Sequence, residues 1–214
     1  MTLEEFRNEF DVLYNNIASN AAPPVDDYEK SVFLTLAQEE LVKQLYNGNN
    51  ELGISFESTE EAREYLSNLI VEKEYTNDSN DSISIFEKEL DIMYMLREVC
   101  TLKDVECDLG EINVVPTTLN DLNRSLNNPF KRPSDNKVLR INIGDNIKLY
   151  SKYPLDKYIV TYLKRPNPII LGELEFGLTI QGDEGPSECE LNPILHRIIL
   201  NNAVALAKAA YIGN

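Results

Sequence analysis

The residues that most often do chemistry in proteins are scarce in this 214-residue chain. It has one histidine, His196, and three cysteines, Cys100, Cys107 and Cys189, which form no C-x-x-C pair. A zinc site would need all three thiols to converge on the histidine, and a Ser-His or Cys-His arrangement would need the same residue, which lies in an apolar stretch with helical spacing. An odd number of cysteines cannot pair completely within one chain. We expect reduced thiols, a structural histidine and no metal.

The common enzyme motifs are absent from the sequence. It contains no glycine-rich phosphate loop, no GxSxG elbow, no HExxH helix and no dinucleotide-binding fingerprint. Paired carboxylates such as Glu39 with Glu40 are better explained as solvent-facing or first-turn residues of helices than as a catalytic dyad. We therefore expect no enzymatic activity and no cofactor.

One stretch has the spacing of a calcium-binding loop. Asp78, Asn80, Ser82 and Glu89 occupy its first, third, fifth and twelfth places. The sixth place needs glycine for a sharp turn but holds Ile83, and the residues that follow are typical of a strand. A polar turn is the favoured interpretation.

Charge is divided unevenly along the chain, whose net charge is -16. Residues 1–123 carry eight Lys or Arg against 27 Asp or Glu, whereas residues 124–165 carry ten against three. Complementary potentials steer association and fix its register, so this division suits docking between copies or between partners of opposite sign. The excess of negative charge opposes direct binding to nucleic-acid phosphates. Chance sorting of charge among surface faces is the alternative.

The basic block supplies a candidate docking face for an acidic protein surface. It includes two Lys-Arg-Pro triplets, at 131–133 and 164–166, whose prolines suit exposed loops or sheet edges because they prevent further pairing. The proposed face consists of Arg124, Lys131, Arg132, Lys137, Arg140, Lys164 and Arg165. We assign no residue to catalysis, to a cofactor or to a metal.

Three helices are predicted within residues 1–75. The spacing of a capping box, in which two side chains satisfy free amides at a helix start, occurs at Thr2 with Glu5, Asp26 with Glu29 and Ser58 with Glu61. The first helix has a narrow apolar seam of Leu3, Phe6, Phe10, Leu13 and Ile17, which favours packing on the next helix over an intermolecular coiled coil. The second is apolar around much of its circumference, and we expect Leu36 to lie in its core.

The middle of the chain has the shorter period of strands. Extended runs are predicted around 82–85, 92–96, 112–114, 138–143, 147–150 and 158–163. The fourth and fifth form a hairpin about a turn at Gly144, Asp145 and Asn146. The last is apolar on both faces, so it should lie inside its sheet. Thr118 is a suitable cap for one short helix, 118–127.

The C-terminus returns to helix, with Asn192 as cap and Pro193 in the first turn. A cluster of alanines should let this helix pack closely on the N-terminal ones. We therefore predict an α+β fold in which residues 1–75 and 190–214 form a helical body. A mostly antiparallel β-rich insertion covers 82–186.

Several stretches of the sequence resemble structural proteins of crAss-like tailed bacteriophages. Those that carry the resemblance are YEKSVFLTLAQEELVKQ at 28–44, Val115 to Arg140 with its NPFKR at 128–132, YIVTYLKRPNPIIL at 158–171, CELNPILH at 189–196 and ALAKAAYIG at 205–213. The family is that of the neck or ring proteins, which connect head to tail. The likeness spans most of the chain, and its motifs are structural.

The resemblance implies a non-enzymatic virion protein, assembled in the bacterial host cytoplasm, without a membrane role. It implies a closed homo-oligomeric ring of twelve copies, to follow the portal, that lines the DNA passage without binding DNA specifically. Its partners would be the portal and adjacent neck or tail rings. The large β region is unusual for a helical adaptor and leaves another tail role open. An alternative from a different class is an acidic soluble factor that mimics DNA and occupies a nucleic-acid enzyme in the infected cell.

Overall fold

The computed structural model describes residues 1–15, 23–50, 53–103 and 110–211. This part of the chain has the predicted α+β fold, with helices towards both ends and a central sheet. It divides into two compact units. We call residues 1–69 with 165–214 the helical unit and residues 70–164 the sheet unit.

The helical unit contains four of the α-helices found in the described residues. They are α1 (Leu3–Asn15), α2 (Asp27–Asn47), α3 (Glu60–Leu66) and α5 (His196–Tyr211), while α4 (Leu119–Asn127) belongs to the sheet unit. Single 3-10 turns, Ser67–Leu69 and Pro193–Leu195, follow α3 and precede α5. None of the described helices is both long and apolar enough to cross a membrane.

Two of the three predicted capping boxes are confirmed. The amide of Glu29 donates to Asp26 Oδ1 at 2.7 Å and the amide of Asp26 donates to Glu29 Oε2 at 3.1 Å. Thr2 and Glu5 exchange the same pair of bonds at the start of α1. The prediction for Ser58 is wrong, because α3 begins after Thr59, whose hydroxyl instead donates to the carbonyl of Ser55.

The core of the helical unit lies where α5 packs against α1 and α2. Apolar and aromatic side chains are buried on each helix, namely Phe6, Phe10 and Tyr14 on α1, Leu34, Leu41, Val42 and Leu45 on α2, and Ile199, Leu200, Ala203 and Ala207 on α5. The two alanines are the small face that allows close approach of the helices. Ile17 of the predicted seam falls outside the described residues.

The expectation that Leu36 lies in the core is wrong. Its side chain is 50% exposed, whereas Leu34 is fully buried. A polar stripe on the buried side of α2 accounts for the shift of the core face: Ser31 and Thr35 accept hydrogen bonds from the amides of Leu171 and Ile169. Because these polar residues bind an extended segment, the buried face includes them and leaves Leu36 outside.

That extended segment corrects a second expectation. Residues 165–186 are predicted with the β-rich region, yet the segment from Asn167 to Leu171 runs along α2 in the helical unit. The side-chain amide of Gln38 donates to the carbonyl of Asn167 at 2.7 Å. Beyond this, only isolated bridges such as Ile170 with Ser187 give the stretch a strand-like character in the structure.

The sheet unit is built on one seven-stranded sheet. Its strands are β1 (Ile70–Thr76), β2 (Ile83–Glu87), β3 (Ile92–Leu102), β4 (Ile112–Pro116), β5 (Lys137–Ile143), β6 (Asn146–Tyr150) and β7 (Leu155–Lys164), in the spatial order β1-β7-β3-β4-β5-β6-β2. All pairs are antiparallel except β4 with β5, which the helix α4 (Leu119–Asn127) connects. Thr118 caps α4 as predicted, accepting from the amide of Asp121. The placement of residues 70–75 among the helices is wrong, since they form β1.

Strand β7 is interior to the sheet, as its two apolar faces predict, with β1 on one side and β3 on the other. The sheet is curled so that its two edge strands approach each other. The ring of Tyr75 on β1 lies 5.5 Å from that of Phe86 on β2 and 5.8 Å from that of Tyr158 on β7. These rings form the centre of the apolar core inside the curl.

Candidate docking surface

The most exposed part of the predicted basic face is the loop after α4. We call residues 128–137 the basic tip. Lys131 and Arg132 are exposed there, and neither side chain forms an ion pair with any other residue that the structure describes. Within the same tip the ring of Phe130 is 91% exposed. The tip therefore combines an aromatic side chain with two uncompensated cations.

Hydrogen bonds stabilise the turn of the basic tip. The amide of Phe130 donates to Asn128 Oδ1 at 2.9 Å, and the amides of Lys131 and Arg132 donate to the carbonyl of the same asparagine. The ammonium of Lys137 donates to the Phe130 carbonyl at 3.0 Å. Asparagine at the end of a helix commonly fixes a turn in this way. The aromatic ring is thus presented by a fixed backbone.

Arg124 lies on α4, at the approach to the basic tip. Its side chain is strongly exposed, and its ionic contact with Asp121 is long, at 3.9 Å. A contact of that length on an exposed helix contributes little to stability. Arg124 is therefore available to a partner, together with the cations of the tip.

Arg140 is not available for docking, which corrects its place in the predicted face. Its side chain is only 11% exposed, and its Nε lies 2.9 Å from Glu98 Oε1 inside the curled sheet. Tyr158 donates to the same carboxylate at 2.5 Å. Burial raises the pKa of Glu98, while the hydrogen bond from Tyr158 and the charge of Arg140 act in the opposite direction. Arg140 compensates a buried carboxylate.

The second Lys-Arg-Pro triplet is divided between the two units. Lys164 ends β7, half-buried and opposite Ile92 of β3, whereas Arg165 belongs to the helical unit. Arg165 is exposed, and its Nε lies 3.5 Å from Glu39 on α2. Arg165 therefore has an ion-pair partner within its own chain. Within the sheet unit, the exposed part of the predicted face is Arg124 with the basic tip.

The helical unit carries an open groove that the sequence does not reveal. It lies between α2 and α5 and has a volume of about 590 Å³. The larger part of its exposed surface is apolar, with Leu41 on one side and Ile198 and Leu206 on the other, and Glu40 is the only charged residue among those that line it. The uncharged polar residues of the lining are Gln44, Asn49, Asn50 and Asn202. On the α5 side the groove is lined by both a small side chain, Ala205, and a large one, Leu206. The apolar residues of α5 predict a packed helix but not which of them stay uncovered.

His196 and the described cysteines are placed as structural residues. His196 is buried at the start of α5, with Nε2 3.0 Å from the carbonyl of Leu191, and burial lowers its pKa despite that contact. Cys100 is buried in the sheet core, where desolvation raises its pKa to about 12. Cys107 lies outside the described residues. No group of three or more potential metal ligands occurs within the described ranges.

The sequence matches known proteins along nearly its full length. The family described as phage tail ring protein 3/4 matches residues 1–213. Among individual relatives, Ring protein 3 of Bacteroides phage crAss001 is 45% identical, over 97% of this chain and 95% of the relative. Ring protein 4/5 of the same phage is 39% identical, over 100% of this chain and 95% of the relative. The chain therefore belongs to the phage tail ring protein 3/4 family of crAss-like phages, as the sequence resemblance indicates.

Proposed function

We propose that this protein is a subunit of a closed ring in the neck of the virion, between portal and tail, and that its role is structural without catalysis. The observation that carries this proposal is the end-to-end family match, from residue 1 to residue 213, to phage tail ring proteins.

The proposed ring has twelve copies, to follow the symmetry of the portal, and contacts the portal or the adjacent neck and tail rings. A closed ring of identical subunits is built from head-to-tail interfaces, in which one patch meets a different patch of the neighbour. The basic tip and the acidic helical unit are two such different patches. The helical unit has 20 Asp or Glu against seven Lys or Arg, whereas residues 124–137 have four Lys or Arg against one Asp.

We further propose that acidic side chains line the central passage. DNA is a polyanion, and a lysine-rich or arginine-rich wall would bind its phosphates and retard it. A wall of carboxylates repels the backbone and lets the genome pass without specific contacts. The exposed carboxylates of the helical unit supply such a wall.

The composition of purified virions tests the proposal. We expect the chain in virions assembled in the host cytoplasm, in a ratio of one copy per portal subunit by quantitative mass spectrometry. Phage that lack the gene should accumulate filled or unfilled heads without attached tails. Absence of the chain from virions, with tails attached normally in the deletion phage, would contradict it.

A further inference from the structure

Removing the exposed ring of Phe130 from water would lower the free energy, because burial of apolar surface is favourable. Phe130 is held outward by the hydrogen bonds of the basic tip, and no described residue covers it. Aromatic and arginine side chains are the most frequent anchors of protein interfaces. Phe130 and Arg132 place one of each within three positions of the chain.

The groove between α2 and α5 has the complementary character. It is open and mainly apolar, and its single charged lining residue, Glu40, is an exposed anion. The unit around it has a large excess of carboxylates. An apolar side chain flanked by cations suits this groove in both polarity and charge.

We propose that Phe130 of one copy inserts into the groove between α2 and α5 of the next copy, with Lys131 and Arg132 facing Glu40. This inference rests on the proposed ring function and identifies the two surfaces that would form its repeating contact. The tip and the groove are different patches, so the contact is head-to-tail, as ring closure requires.

The charge of the flanking residues favours Phe130 over Phe176, the other fully exposed phenylalanine, as the side chain that inserts into the groove. Phe176 projects from the helical unit itself, next to Glu175 and near Glu173. Bringing this segment to Glu40 of a neighbour would place like charges together, which disfavours association. Phe176 is consequently the matched control: it has the same side chain and similar exposure, with the opposite flanking charge.

Photo-crosslinking in assembled particles tests the contact. Benzoylphenylalanine replaces Phe130 in copies supplied during infection, virions are purified and irradiated, and crosslinked peptides are mapped. We expect a species of twice the chain mass, with the attachment within residues 37–44 or 198–206. The same probe at position 176 should give no attachment at those sites.

Charge reversal provides a second test. Lys131→Glu with Arg132→Glu should lower the yield of infectious particles at least about 30-fold, the loss expected from removing an interface anchor. Glu40→Lys should restore part of that yield when it is combined with the reversed tip in one chain. Lys88→Glu with Lys148→Glu makes the same change of net charge elsewhere in the sheet unit and should leave the yield within about two-fold.

The possible failures are distinguishable. If the chain is present in virions but position 130 crosslinks to another protein, to another surface of this chain or to nothing, the contact is wrong and the ring proposal stands. If Glu40→Lys gives no rescue although the crosslink maps to the groove, the charge pairing is wrong and the Phe130 insertion stands. Absence of the chain from virions overturns the ring and this contact together.

Discussion

Arg140 and Glu98 show how a residue chosen for its charge can have an entirely internal role. Both side chains lie inside the curled sheet, and Glu98 is only 8% exposed. An isolated buried carboxylate is costly, so Arg140 and the hydroxyl of Tyr158 are needed to compensate it. Arg140 therefore belongs to the stability of the sheet unit.

We predict that Arg140→Met destabilises the protein by about 3–5 kcal/mol at neutral pH, because it leaves Glu98 charged and without its cation. The raised pKa of Glu98 means that its contribution to stability is present below its unfolded pKa and is lost as pH rises through its folded pKa. Removing Arg140 raises that folded pKa further. The cost should therefore shrink between pH 7 and pH 4, as measured by urea denaturation.

The control for this prediction removes both charges. Arg140→Met combined with Glu98→Gln should recover a large part of the lost free energy of unfolding, because no uncompensated charge remains in the core. An equal loss at pH 7 and pH 4 for the single variant, or no recovery in the double variant, would show that the ion pair is not what Arg140 contributes.

His196 gives the helical unit a sensitivity to acid. Its pKa is lowered below the ordinary 6.5 because burial disfavours the charged ring. The unfolded chain then binds the proton more readily than the folded one. Stability conferred by the neutral ring is full above the unfolded pKa and is lost as pH falls through the folded pKa.

We predict that His196→Gln, which can still donate to the carbonyl of Leu191, makes stability less dependent on pH between 7.5 and 5. Thermal melts at the two pH values measure it, and the fall in Tm on acidification should be smaller in the variant than in the wild type. Identical falls would show that His196 does not titrate on unfolding in this range.

At the scale of elements, helix α2 illustrates what periodicity can and cannot decide. Leu34 and Leu36 are two positions apart and chemically identical, and only the structure shows that the first is buried and the second half-exposed. The apolar residues of α2 cover most of its circumference, so its spacing does not select one face. The hydrogen bonds of Ser31 and Thr35 with the extended segment determine which face of α2 is buried.

The two leucines provide a matched pair of variants. We predict that Leu34→Ala costs about 2–5 kcal/mol in the free energy of unfolding, since it leaves a cavity in a closely packed core. Leu36→Ala should cost less than about 1 kcal/mol, because the removed atoms are largely in water already. Chemical denaturation of both variants measures the difference, and similar losses would contradict the assigned face.

The elements that could be predicted are those whose signals are local. The capping boxes of α1 and α2, the cap of α4, the β5–β6 hairpin and the interior position of β7 depend on a few neighbouring residues. Strand β1 could not be predicted, because its apolar residues continue the helical spacing of α3. The position of the extended segment 167–171 could not be predicted, because its hydrogen-bond partners are more than 120 residues distant in the sequence.

In the candidate docking surface too, some features follow from the local sequence and others depend on distant residues. The exposed cations of the basic tip could be predicted from the Lys-Arg-Pro triplet, whereas the burial of Arg140 depends on Glu98 in a distant strand. Phe130 could have been selected from the Asn-Pro-Phe sequence, because asparagine and proline mark a loop in which a large apolar side chain is unusual. The groove has no comparable signal, since it is formed by residues that α2 and α5 leave uncovered.

At the scale of the whole molecule, each unit combines charge of one sign with exposed apolar surface. The helical unit joins strong negative charge to an apolar groove, and the sheet unit presents a basic loop with an exposed ring. The proposed ring would use both, because each copy would supply a tip to one neighbour and a groove to the other.

A density map of the neck in intact virions is the decisive test of the proposed ring. We predict a closed ring of twelve copies around the DNA passage, with the loop after α4 of each copy against α2 and α5 of its neighbour. A map in which this chain forms no ring on the tail axis would overturn the proposal.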